Sequence, residues 1–246
     1  MSEHTTNNYR ALLFDLDGTL LGLDIEKFVP AYIEALSEKF TGYIEKNDFA
    51  RFLFEATNIM VRNRDPLKNN ETVFYEEFCR LTEQPFDRIK PVVDSFYRDV
   101  FPKLSYWGEE LPYARAVVEK AKYKHLTLVL ATNPIFPAAA ILQRLSWSGL
   151  SKRDFSLVTT MENMHFCKPN PEYYREISQL INCSPENCLM VGNDTLEDLS
   201  ALKTGMDTFL VEDYLLDRGS NSADPTYRGS LKELTTFIDK LKPIGA

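Results

Sequence analysis

Apolar residues recur at helical spacing from Leu23 to Ser105, as Phe28, Tyr32, Ile33, Leu36 and Phe40 illustrate. That spacing predicts an all-helical tract. Its further helices are expected over residues 48–62, 72–82 and 86–101, divided by the breakers Asp65-Pro66, Asn69-Asn70 and Gln84-Pro85. Elements of this length would pack as a small bundle.

From Trp107 onward the pattern changes. Short Leu-rich and β-branched runs now follow helical stretches: 111–122 precedes LTLVLA, 137–145 precedes FSLVTT, 171–181 precedes CLMVGND and 196–203 precedes TFLVED. A last helix is expected over 230–241, opened by Ser230 as N-cap with Glu233 completing a capping box. With ALLF at 11–14 as the first strand, these units imply a doubly wound α/β fold, a parallel Rossmann-like sheet covered by helices on both faces. The helical tract is inserted into it. This divides the chain into a core of residues 1–22 and 106–246 and a helical domain of residues 23–105.

Ligands of such folds bind where the strands end. Polar clusters fall at those places: Asp15-Leu16-Asp17-Gly18-Thr19 after ALLF, Thr132-Asn133-Pro134 after LTLVLA, and the run from Gly192 to Asp198, GNDTLED, after CLMV. Alternation turns Asp15 and Asp17 to one side, and Gly18 permits a sharp turn beyond them. Two acids so close repel unless a cation joins them. Alone, D-x-D-G is also ordinary turn punctuation, and GNDTLED reads equally as helix capping. Convergence on one edge of the sheet favours a site.

Composition narrows the classes. The 246 residues are 44% apolar, enough for a packed interior, which excludes disorder as the main theme. A net charge of -8 and a pI near 5.1 argue against a nucleic-acid binder. The N-terminal MSEHTTNNYR lacks the apolar core of an export signal. An uncharged stretch, 126–143, approaches membrane-spanning length, but Thr132, Asn133, Pro134 and Pro137 interrupt it, so no membrane partner is expected. Cys79, Cys167, Cys183 and Cys188 form no CxxC pair, which points to reduced thiols in a cytoplasmic protein. Residues 219–225, GSNSADP, are expected to be a mobile loop.

Ordered motifs carry a specific resemblance. DLDGT at 15–19, the strand-ending Thr132, Lys168-Pro169 and the acidic run at 192–198 resemble the motifs of the haloacid dehalogenase-like hydrolase superfamily. The helical insertion is similar to that superfamily's type I cap. The resemblance implies a Mg2+-dependent phosphatase acting on a small phosphorylated metabolite. Asp15 would be the nucleophile that becomes an aspartyl phosphate, and Asp17 the acid that protonates the leaving alkoxide and then activates water. Lys168 would hold positive charge against both the phosphoryl group and the nucleophile. Thr132 and backbone amides near Asn133 would bind phosphate oxygens. Mg2+ would be held by Asp15, by Asp17 through its backbone carbonyl, and by a residue of the last motif. Asp194 is the favoured ligand, with Asp198 as outer support. The common form, however, has Asp directly after Gly where this chain has Asn193, so both positions stay open. Thr19 would support the first loop.

Alternatives remain at this stage. A phosphomutase uses similar motifs, and a catalytically silent module would keep the pocket to bind a phospho-ligand or a protein. Dehalogenation fits less well, because it needs neither the acid–base chemistry of Asp17 nor Mg2+. Arg51, Arg62, Arg64 and Lys68 are the cap cations that could meet an anionic leaving group, each being otherwise a solvated charge. His165 and Cys167, beside Lys168, are left outside catalysis. The oligomeric state is open.

Overall fold

The computed structural model describes residues 8–219 and 223–243. Most of the N-terminal MSEHTTNNYR segment, and the centre of the loop expected at 219–225, lie outside the described residues.

Strands β1 (Ala11–Phe14), β4 (Thr127–Leu130), β5 (Leu157–Val158), β6 (Cys188–Gly192), β7 (Asp207–Val211) and β8 (Tyr227–Gly229) form a six-stranded sheet in the order β5-β4-β1-β6-β7-β8. Every pairing in it is parallel. The central strand is β1, whose Ala11 faces Thr127 on one side and Cys188 on the other, while Phe14 lies between Leu130 and Val191. Alternation along β1 serves both faces of the sheet. Leu12 and Phe14 join a hydrophobic cluster with Val117 and Ala121 of α5 (Ala114–Tyr123), Ile141 of α6 (Ala138–Trp147), and Leu234 and Ile238 of α8 (Leu231–Lys240). Ala11 and Leu13 join a second cluster with Tyr173, Tyr174 and Ile177 of α7 (Pro171–Leu180). This is the doubly wound architecture the alternating pattern predicts. Chain order reverses direction around β1, so the carboxyl ends of β1, β4 and β6 open onto one crevice.

Helix boundaries follow local chemistry. Pro171 opens α7, where its missing N–H costs nothing, and Ser230 caps α8 in a capping box with Glu233. The helix expected at 196–203 is instead a 3-10 segment, Asp198–Thr204, closed by Gly205 at φ 91°. Local hydrogen bonds account for the difference. Asp194 accepts the amides of Leu196 and Glu197, and the Glu197 carbonyl is taken by Tyr174 and Ser200 hydroxyls, which compete with an α ladder. The β8 strand, Tyr-Arg-Gly, is too short and polar to show in the apolar pattern.

Between β1 and β4 run α1 (Ile25–Lys39), α2 (Lys46–Arg62), α3 (Asn70–Thr82) and α4 (Phe86–Asp99), followed by a 3-10 segment, Phe101–Trp107. Asp24 and Asn69 cap α1 and α3 with their side chains. The helices close around buried aromatics, with Phe40, Phe49 and Phe78 in mutual ring contact; each such side chain contributes roughly 1.5–3 kcal/mol of burial. The two chain crossings pair with each other. Strand β2 (Leu21–Leu23) runs antiparallel to β3 (Gly108–Glu110), with Gly22 opposite Glu109. Such short strands carry no visible period, and the sequence pattern misses both. A further attachment joins the start of α3 to the loop after β5: Asn70 N donates to Met164 O at 2.8 Å and Glu71 N to Met161 O at 2.9 Å. Among the described residues no helix is long and apolar enough to cross a membrane. The 126–143 stretch is β4, a loop and the first turns of α6.

Candidate active site

A cavity of about 670 Å3 opens at the carboxyl ends of β1, β4 and β6, lined by Asp15, Asp17, Thr132, Asn133, Asn193, Asp194 and Asp198. Nearly all the expected site residues therefore meet there. Lys168 reaches the same place from the loop before α7. Its Nζ, fully buried, lies 2.8 Å from Asp15 Oδ1 and 2.6 Å from Asp198 Oδ1. Burial works against the ammonium, but Asp15 and Asp198 outweigh it and hold the Lys168 pKa well above the ordinary lysine value. Burial is also the largest influence on Asp15 and raises its pKa, with Lys168 opposing and Asp198 adding.

Glycine makes this approach possible. A Cβ on Gly192 would fall 2.1 Å from Asp198 Oδ2, and one on Gly18 would fall 2.2 Å from Asn193 Nδ2. Both motifs thus need glycine for close packing. Gly18 also sits at φ 77°, the left-handed region that glycine adopts freely.

The supporting residues form a hydrogen-bonded frame. Thr19 Oγ1 donates to Asn193 Oδ1 at 3.1 Å, and Asn193 Nδ2 donates to the Tyr214 carbonyl at 2.6 Å. Asn193 therefore faces the first loop. Asp194, the favoured ligand on sequence grounds, turns elsewhere: Oδ1 accepts the Leu196 and Glu197 amides, and Oδ2 accepts from Arg218 at 2.9 Å. Asp198 Oδ2 takes the Asp194 amide at 2.9 Å, which leaves Oδ1 for Lys168. The Asn133 side chain clamps the Lys168 amide at 3.2 Å and Glu197 Oε1 at 2.9 Å. Thr132 accepts through its carbonyl from Thr159 and Tyr173 hydroxyls, which fixes the strand end.

Arg144 escaped the sequence reading. Projecting from α6 and only 1% exposed, it donates through Nη1 to Asp17 Oδ2, and its guanidinium stacks 4.3 Å from the centroid of the Phe136 ring. Arg144 Nε and Nη2 and Asp17 Oδ1 are buried with no hydrogen-bond partner among the described residues. Burial raises the Asp17 pKa, against the lowering pull of Arg144 and Lys168. The available signal was a single charge in the otherwise uncharged helix AAAILQRLSW. Glu197 was also missed as a contributor: burial pushes its pKa up to about 7.

The candidate cations of the helical insertion lie away from this cavity. Arg51 pairs with Asp48 at 2.6 Å, Lys68 pairs with Glu76 at 2.6 Å, Arg64 donates to Asn170, and Arg62 is exposed. None of the four lines the cavity that holds Asp15. His165 pairs with Glu176 at 2.6 Å, and Cys167 is buried with its thiol pKa pushed up by burial.

Comparison with known proteins identifies the family. The family described as haloacid dehalogenase-like hydrolase matches residues 9–205. Pyrophosphatase PpaX of Oceanobacillus iheyensis is 24% identical over 231 residues, covering 93% of this chain and 96% of that protein. Pyrimidine 5'-nucleotidase PynA of Streptococcus pneumoniae is 28% identical over 240 residues, covering 94% and 96%. Among solved structures, a HAD phosphatase from Thermococcus onnurineus superposes with a TM-score of 0.59 at 24% identity over 96% of this chain and all of that one. The magnesium-bound putative HAD-hydrolase YfnB from Bacillus subtilis gives 0.57 at 22% identity over 94% and 99%. These structures share the fold. With the matched model spanning both the site and the helical insertion, the chain belongs to the haloacid dehalogenase-like hydrolase family.

Proposed function

We propose that this protein is a Mg2+-dependent phosphatase that hydrolyses a small phosphorylated metabolite through an aspartyl phosphate on Asp15. One observation carries the reading: a fully buried Lys168 ammonium bridges Asp15 and Asp198 at the strand ends. A carboxylate attacks a phosphate dianion only where positive charge offsets their repulsion. The names of PpaX and PynA, a pyrophosphatase and a pyrimidine 5'-nucleotidase, support phosphoryl-group hydrolysis on a small molecule.

The donor set suits Mg2+. It is made of oxygens, and Asp15 has a second carboxylate oxygen beyond the one on Lys168. The Asp15 side chain and the Asp17 backbone carbonyl would hold it with one oxygen of the last motif. We assign that oxygen to Asn193 in preference to Asp194, because Asn193 packs on the Gly18-Thr19 loop while Asp194 is tied to Arg218. The bound ion would neutralise charge on the phosphoryl oxygens.

The chain's own residues supply the rest. An Asp15 oxygen attacks phosphorus and the bond to the leaving oxygen breaks, with Asp17 giving its proton to that oxygen. The raised Asp17 pKa favours the protonated form this step needs. Water then attacks the phosphorus, Asp17 takes the proton, and Asp15 is regenerated as inorganic phosphate departs. Lys168 holds positive charge beside the nucleophile throughout, and Thr132 offers its hydroxyl to a phosphoryl oxygen. Residues 23–105 act as the cap that covers the leaving group.

The test is a panel of phosphorylated metabolites assayed with Mg2+ and with chelator, for the wild type and Asp15→Asn. Phosphate release that chelation and Asp15→Asn both abolish is the expected result. Absence of turnover across the panel would overturn the reading in favour of a binding module, and an isomerised phosphate ester would identify a mutase.

A further inference from the structure

A second cavity, of about 190 Å3, lies among α1, α2, α3 and α4 and the loop at residues 135–137. It adjoins the acidic cavity: Ile25, Ile135 and Phe136 line both. Their characters are opposite. The first is ringed by carboxylates, whereas no charged side chain lines the second, whose walls are aromatic and aliphatic residues such as Val29, Ile33 and Phe74. Most of its hydroxyls are already engaged. Tyr32 and Tyr97 bond each other at 2.8 Å, and Thr57 donates to Leu53 O at 2.8 Å. A sugar or a second phosphate placed there would lose its water and gain few partners beyond the Tyr75 hydroxyl.

We infer that the substrate's leaving group carries an apolar, ring-sized moiety that occupies this second cavity while the phosphoryl group sits at Asp15; the inference rests on the phosphatase reading. Size supports it, since an apolar cavity of about 150 Å3 holds a benzene molecule. So does packing, because native interiors keep few voids larger than a water molecule. Phe136 stands where the two cavities meet, with the Arg144 guanidinium stacked on its ring and Tyr32 in edge contact at 5.3 Å. The route from phosphate to ring therefore passes the group that holds Asp17.

Two esters with equally basic primary alkoxide leaving groups separate the outcomes: 2-phenylethyl phosphate and ethyl phosphate, each assayed with Mg2+. The phenyl ester is expected to show a kcat/KM higher by roughly tenfold or more, from burial of its ring. Ile33→Trp fills the cavity and should bring that ratio toward one while a cooperative thermal melt is retained. Should Ile33→Trp fail to fold, Val29→Phe serves the same purpose. In the wild type, 2-phenylethanol should inhibit competitively and ethanol should not at the same concentration. Equal kcat/KM for the two esters would overturn the inference, as would turnover of polar metabolites with none of the phenyl ester. No turnover of any phosphate ester would overturn the phosphatase reading beneath it.

Discussion

Arg144 and Asp17 form a part-buried ion pair in which one side of each group is left without a partner: among the described residues, Asp17 Oδ1 and the Arg144 Nε and Nη2 atoms make no hydrogen bond. The pair fixes the carboxyl proposed as acid and base, and the stacked Phe136 ring fixes the guanidinium in turn. Arg144→Met would leave the part-buried Asp17 without its ion-pair partner, so unfolding free energy should fall by about 1–3 kcal/mol. The double variant Arg144→Met/Asp17→Asn should regain most of that loss in chemical denaturation. If the double variant is no more stable than the single, the pair does not carry this energy. Arg144→Lys keeps charge but not the planar fork, and kcat should drop by roughly 10²-fold with less change in KM.

Lys168 answers to two carboxylates at once. Replacing it with Met removes the cation in contact with both, and kcat should fall on the order of 10²–10³-fold. The raised Lys168 pKa gives the sign of its pH effect. Its stabilising contribution is fully present below the ordinary lysine value and is lost only as pH rises through the folded-state value, so wild-type stability near neutrality should not depend on it titrating. A loss of stability near pH 7 that Lys168→Met removed would contradict this.

Gly192→Ala is a sharp test of close packing. The added methyl would overlap Asp198 and push it from Lys168. Misplacement by about 1 Å costs roughly 10²-fold in rate, so single-turnover phosphorylation of Asp15 should slow by that order. Near-normal kinetics would show that Asp198 does not need its present position.

Asn193 and Asp194 can be separated by metal titration. Asn193→Asp restores a carboxylate beside the first loop and should lower the Mg2+ concentration for half-activation by roughly tenfold, since charge count tunes affinity for hard cations. Asn193→Ala should raise it. Asp194→Ala, which removes the Arg218 contact, should act mainly on stability. Normal Mg2+ dependence in Asn193→Ala, with loss in Asp194→Ala, would reverse the assignment.

Glu71 reports on the attachment of α3 to the sheet-bearing part of the molecule. Burial first, and the charge of Glu162 second, raise its pKa above the ordinary glutamate value. A raised acid contributes stability below the unfolded value of 4.5 and loses it as pH rises through the folded value. Glu71→Gln should therefore gain on the wild type as pH rises from about 4 to 7, a small effect because the group is partly exposed. Parallel stability curves for the two proteins would remove Glu71 from this role.

How much was legible depended on the range of the interaction. Strands β1, β4, β6 and β7 stood out as apolar runs because both their faces are buried, and α8 declared its start through Ser230 and Glu233. The residues of the motifs were visible because their types and order carry the resemblance. Asp198 and Lys168 could be named, but nothing local indicated that they touch. Strands β2, β3 and β8 stayed hidden, being too short for a period to register. The 3-10 segment at Asp198–Thr204 was read as a helix because its residue pattern is helical, while the bonds that tighten it come from Asp194, Tyr174 and Ser200.

The sequence by itself determined the alternation that builds a doubly wound sheet, the helical tract between its first strands, and the acids, hydroxyl and lysine gathered at the strand ends. Those follow from periodicity and residue type, which act over a few neighbours. Only the tertiary structure decided that Arg144 would face Asp17, that Asn193 rather than Asp194 would lie on the first loop, and that an apolar cavity would adjoin the acidic one. Each depends on groups between tens and more than a hundred residues apart, brought together by sheet order and helix docking, and no local pattern records which side of an element meets which partner.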